Sequence, residues 1–133
     1  MPELLDVKRW RFVFFAILAS YGTLWFSDYL LPDTQSSLIG MYATTFIEWV
    51  VAFSVGGFVA GRRFLLPAVA STMLVVSGII LHTAYLAGQY SQPISPVLTN
   101  NLPLLVVTVA ATAIGASIGM WFAAKVRRQA ELA

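Results

Sequence analysis

The chain has 133 residues, of which 59 % are hydrophobic and only 11 % charged, with a net charge of +2. A soluble domain carries roughly 25 % charged and about 45–50 % apolar residues, and a chain this short cannot hide so much apolar surface in one globular core. The excess is expected to face lipid. The absence of cysteine excludes disulfides, thiolate catalysis and thiolate metal sites.

A helix crosses a bilayer with about 20 mostly apolar residues at roughly 1.5 Å each. Four stretches reach that length. The first is residues 10–31, WRFVFFAILASYGTLWFSDYLL. Its apolar run continues past the short hydrophobic region of a signal peptide, so it is expected to be retained. Asp28, near its outer end, reads as an interfacial carboxylate. The second is residues 37–61, with Glu48 in its centre. The third is residues 66–90, opened by Pro67 at a favourable first-turn position, and it holds the single histidine, His82. The fourth is residues 103–124, opened by Pro103. The runs are continuous rather than alternating, which argues against a β-barrel.

The short link RRFLL should force the second and third spans into an antiparallel hairpin. GQYSQPISPVLTNNLP, with three prolines, reads as a passive, partly extended connector, and no separate soluble domain is expected. The fold class is therefore all-α: an integral membrane four-helix bundle forming one domain.

The eight basic residues are Lys8, Arg9, Arg11, Arg62, Arg63, Lys125, Arg127 and Arg128. With four spans, all of them fall on one side of the membrane. Basic residues stay in the cytoplasm, so both termini are expected there, in a bacterial inner membrane. Arg62, Arg63, Arg127 and Arg128 read as topology anchors at the level of the lipid headgroups.

Small residues form two stripes. The fourth span carries Ala111, Gly115, Gly119 and Ala123 at intervals of four, and the second carries Ala52, Gly56 and Ala60. In lipid, such stripes allow close backbone approach, so both are expected to make tight helix contacts, within the chain or between chains. AFSVGGFVAGR (52–62) also aligns with GASIGMWFAAK (115–125), a candidate 2+2 hairpin repeat in one orientation.

An ionised acid near the bilayer centre costs at least about 2.5–3.5 kcal/mol on insertion scales, so Glu48 is expected to face protein or water. Thr44 and Thr45 lie one turn away with hydroxyls to offer. His82 is the other candidate partner, roughly 7 Å away in height along the hairpin. It shares a face of its helix with Ser71, Val75, Gly78, Tyr85 and Gln89.

One histidine cannot supply a bis-histidine haem site, and one Glu with one His makes a thin metal site. Neither a cofactor nor a metal is expected. Ser71 and His82 are about three turns apart, too far for a nucleophile and its base, and GGFVAGRR lies at a helix end rather than after a strand. Enzymatic activity is therefore not expected, nor is a nucleic-acid partner.

Two classes survive. The chain is an accessory or self-associating helix-packing subunit of a membrane complex, with Glu48 as an interhelical clasp. Or it is a small oligomeric transporter or channel with Glu48 as the exchanging acid. Its partners are then the lipid bilayer and either further copies or a larger membrane complex. Small multidrug transporters and fluoride channels are also short four-span chains. The former carry their acid in the first helix, where this chain has none near the middle, and no motif here assigns a family.

Overall fold

With so few polar side chains to compete for them, the backbone N–H and C=O groups of the apolar runs find partners within their own segments, and that produces helices. The computed structural model describes residues 7–30 and 38–133, with side chains at 10–27 and 39–133. The described helices are α1 (Val7–Leu30), α2 (Leu38–Ala60), α3 (Leu65–Gln89) and α4 (Ile94–Leu132). Glu3, Asp6, the Asp28 side chain and Asp33 lie outside the described residues.

Among the described residues, three helices are long and apolar enough to cross a membrane: α2 over Ile39–Ala60, α3, and α4. This fits a membrane protein. Four such runs were expected, and α1 is the one not among them. Both ends of α1, at 7–9 and 28–30, fall outside the residues whose side chains are described.

The packing order is not the chain order. α2 packs most extensively against α4, α3 packs on α4, and α1 packs on α2. α2 and α3 follow one another in sequence but hardly touch beyond their turn, because α4 lies between them. The expected hairpin of the second and third spans is thus opened by an intervening helix. Directions follow from the contacts. Tyr21 meets Trp49 and Phe53, and Gly56 lies by Ser20 and Ala16, so α1 and α2 are antiparallel. Gly115 lies against Val50 and Gly119 against Ser54, so α2 and α4 run parallel.

The core gathers where α1, α2 and the start of α3 meet. Ala16, Leu24, Ala52, Phe53, Phe64, Ala68 and Ala116 form one buried cluster. Trp49 and Phe53 stack at 5.6 Å and 14°, and Tyr21 meets both edge-on. Phe64, in the turn after α2, is fully buried against Phe53 at 6.3 Å. It fastens the turn to the bundle. The small residues of α1 and α2 leave the room that these rings fill, and offset or edge-on ring pairs add about 0.5–1.5 kcal/mol each beyond burial.

The helix ends obey local chemistry. Gly61 follows α2 at φ +70° with its N–H on the Gly57 carbonyl at 2.9 Å, the left-handed closure that glycine adopts without strain. α3 ends in a Schellman arrangement: the Gln92 N–H donates to Ala87 at 2.8 Å and the Ser91 N–H to Gly88 at 3.2 Å. Here Ser91, at φ 58°, takes the position glycine usually occupies.

α4 departs most from expectation. Its 39 residues begin at Ile94, with Pro93 as N-cap and Pro103 inside the helix. The segment read as an extended connector is therefore helical from residue 94. Pro93 and Pro96 fall at the N-cap and in the first turn, where the missing N–H groups have no intrahelical partner to lose. Only Pro103 removes an internal bond.

Candidate functional site

Three polar or close-packed arrangements are candidates for function: the α2–α4 seam, the polar positions within the spans, and the cationic end.

The seam rests on glycine. A Cβ on Gly119 would run into the Ser54 carbonyl oxygen and the Phe58 N–H, and one on Gly115 into the backbone of Val50. A Cβ on Gly57 would meet the Ala116 carbonyl and the Met120 N–H. The backbones are therefore in contact, and dispersion acts over the whole length of the seam. The stripe on α4 is fully engaged, with Ala111, Gly115, Gly119 and Ala123 all buried. The stripe on α2 behaves differently. Ala52 is buried in the core, Ala60 packs against it, and Gly56 faces α1 at Ser20 and Ala16, with the Phe64 ring beside it. The glycine that α2 offers to α4 is Gly57, one residue and about 100° around the helix. Gly56 and Gly119, equivalent in the candidate repeat, thus serve different neighbours.

The buried serine and threonine hydroxyls have partners. Ser20 donates to the Ala16 carbonyl at 2.9 Å, Ser54 to Val50 at 2.7 Å, and Thr112 to Thr108 at 2.7 Å. Thr72 and Thr112 share a hydrogen bond of 2.9 Å between α3 and α4, fully buried. Tyr21 carries a buried hydroxyl oxygen with no hydrogen-bond partner among the described residues.

Glu48 is half-buried, as are Thr44 and Thr45. At about 100° per residue, Glu48 lies roughly opposite the Val50–Ser54–Gly57 line that α4 covers, so it stands off the seam. His82 is exposed. The face that α3 turns inward is Ala68, Thr72, Val76, Ile80 and Ala84, and His82 lies about 120° or more away from most of it. The fold does not bring Glu48 and His82 together: α4 separates their helices and the imidazole points outward. Gly78, with nothing within 4 Å of a Cβ, shares that outward face, as do Tyr85 and Gln89, whose amide donates to the Tyr85 hydroxyl at 2.8 Å.

At one end of the bundle the basic residues of separate elements converge. A cavity of about 390 Å³ is lined by Phe12, Val13, Val59, Ala60, Arg62 and Arg127. Beside it, a smaller one of about 200 Å³ is lined by Arg62, Arg127, Arg128 and Glu131 among others. The Arg127 guanidinium reaches Gly61 at the C-terminal end of α2, where the helix dipole and open carbonyls favour a cation. Arg63 sits in the turn at φ 63°, and the Lys125 ammonium lies 5.2 Å from the centre of the Trp121 ring, a cation–π distance.

Sequence reasoning missed Phe64, Tyr21 and the Thr72–Thr112 bond, and it set Gly57 only beside the stripe on the second span. Thr108 and Thr112 lie one turn apart on α4 and so share a face, which was a readable sign that α4 presents hydroxyls inward. Phe64 had no such sign, since it sits in a turn between helices.

An 81-residue stretch is 30 % identical to "Protein CLT2, chloroplastic" of Arabidopsis thaliana. It covers 59 % of this chain and 18 % of that protein, so the chain spans less than a fifth of the relative's length. No family model matches the chain, and no solved structure matches it.

Proposed function

We propose that the chain is an integral membrane protein that works as a helix-packing subunit, associating with copies of itself or with a larger membrane complex. The observation that carries this reading is the outward face of α3. Gly78, His82, Tyr85 and Gln89 lie exposed along a helix that is predominantly apolar and long enough to span. Lipid covers an imidazole and an amide poorly, whereas small and polar residues are what helices use to meet one another in a bilayer. The glycine-backed seam supports the same reading. It closes the contact between α2 and α4, and the hydroxyls around it are bonded to backbone or to one another rather than lining an aqueous path. The similarity to a small part of a much longer chloroplastic protein is also in keeping with helices that need further neighbours. We place the chain in a bacterial inner membrane with both termini and the Arg62–Arg63 turn in the cytoplasm. A duplicated pair of hairpins would account for the parallel α2 and α4, but this reading does not depend on it.

The experiment exploits the missing cysteines. Gly78→Cys in native membranes should give an oxidative crosslink, to a second copy or to a partner of different mass. Val106→Cys, 67 % exposed on α4, should give much less. Equal crosslinking at both positions, or none at either, would remove the support for an interface on α3.

The second reading keeps Glu48 as a proton- or cation-exchanging acid, and its half-buried place in the middle of α2 favours it. Proteoliposomes should then show proton-coupled flux that Glu48→Gln abolishes. Absence of flux with a crosslink at Gly78→Cys supports the packing role.

A further inference from the structure

We propose that the cavity between α1, α2 and α4 at the cationic end binds the phosphate headgroup of an anionic lipid. Arg62 and Arg127 hold the phosphate, and Phe12, Val13 and Val59 flank the adjoining chain.

The cavity, about 390 Å³, falls within the roughly 300–1,000 Å³ of small-molecule sites. Its lining among the described residues combines two guanidinium groups with four apolar side chains, and no carboxylate is among those described residues. The neighbouring cavity differs in this respect, since Glu131 sits there with the arginines and offsets their charge. A guanidinium presents parallel N–H donors that match two oxygens of one phosphate. Two of them, delivered from different elements, define a place rather than a diffuse patch. Arg62 comes from the turn after α2. Arg127 comes from the last turns of α4, and its guanidinium is set against Gly61, where the missing side chain leaves it room.

A free anion would need only the arginines. The wall of Phe12, Val13, Val59 and Ala60 adds a surface that only a ligand with a hydrocarbon part can use. In a bilayer oriented by the basic residues, this end lies at the headgroup level of the leaflet that is richer in basic protein contacts. The inference rests on the membrane reading above, and its test separates the two.

The test is native mass spectrometry of the full chain in detergent, with phosphatidylglycerol, phosphatidylcholine or inorganic phosphate added. Phosphatidylglycerol should bind in preference to phosphatidylcholine and should not be displaced by inorganic phosphate. The pair Arg62→Gln with Arg127→Gln should weaken phosphatidylglycerol binding by about tenfold or more, the order expected for losing charge-assisted bonds. The pair Arg63→Gln with Arg128→Gln removes the same charge and should leave binding nearly intact. Val59→Trp, which fills the apolar wall without changing charge, should weaken the lipid adduct as well. Circular dichroism of each variant confirms that the helices persist. Equal loss from both arginine pairs, retention with Val59→Trp, equal binding of phosphatidylcholine, or displacement by inorganic phosphate overturns the proposal. Alkaline carbonate extraction of native membranes gives the separate answer. A chain that resists extraction yet fails the lipid test sinks the cavity proposal alone. A chain that is extracted sinks the membrane reading and the cavity with it.

Discussion

The α2–α4 seam and the outward face of α3 are both built with glycine, yet they are opposites. At the seam, glycine has been used up: Gly57, Gly115 and Gly119 are each in contact with a neighbouring backbone. On α3, Gly78 borders open space, and so does Gly22 on α1. A small residue has consequences only where something approaches it, so the seam is where the bundle is held together and the α3 face is where it is left open. That difference separates a feature of the fold from a candidate surface for association.

Substitution sharpens the contrast. Gly119→Leu should cost the most, about 3 kcal/mol or more, because the side chain meets backbone that cannot turn aside. Loss of helicity or of a cooperative unfolding transition in detergent would register it. If Gly119→Leu unfolded like the parent, the parallel contact of α2 and α4 would have to be abandoned. Gly61→Ala should cost about 1–2 kcal/mol, since φ +70° disfavours any side chain and the new methyl would press on the Arg127 guanidinium. Thr72→Val removes the bond to Thr112. Interhelical bonds of this kind average about 0.6 kcal/mol in bilayers, so a small drop in thermal midpoint is expected, and none when Thr112→Val is already present. Gly78→Leu should have the smallest effect on the fold, within about ±0.5 kcal/mol, while lowering crosslinking or co-purification through α3. An unfolding penalty at residue 78 as large as at residue 119 would erase the distinction between the two regions.

How much of this was legible depends on the kind of information each feature needs. The α4 stripe was readable because a spacing of four places residues on one face, and a continuous face of small residues has few uses other than close approach. Gly56 and Gly57 show the limit. Adjacent glycines point about 100° apart, so the sequence offers either to either neighbour, and the decision falls to packing. Glu48 and His82 could be compared in height along the helices, but not in direction. Their separation follows from the insertion of α4 between α2 and α3, which no local pattern encodes. The helical start of α4 is hidden because a polar segment with three prolines reads as an extended connector. Their cost depends on whether the missing N–H would have had a partner, and at the first turn it would not. Phe64 was hidden for a related reason: a turn residue has no helical periodicity, so only the tertiary structure reveals that it is buried.

The length of α4 has a consequence for how the molecule would sit. Its 39 residues extend about 58 Å at 1.5 Å per residue, nearly twice the roughly 30 Å of bilayer hydrocarbon. Because its middle is locked to the shorter α2, a large lean would be costly in the proposed membrane setting, and the surplus would protrude as stubs on the two sides. In the proposed membrane orientation one stub would carry the arginines, and the other would hold Ser95, Thr99 and Asn100 beyond the lipid, where a probe or a neighbouring chain could reach them.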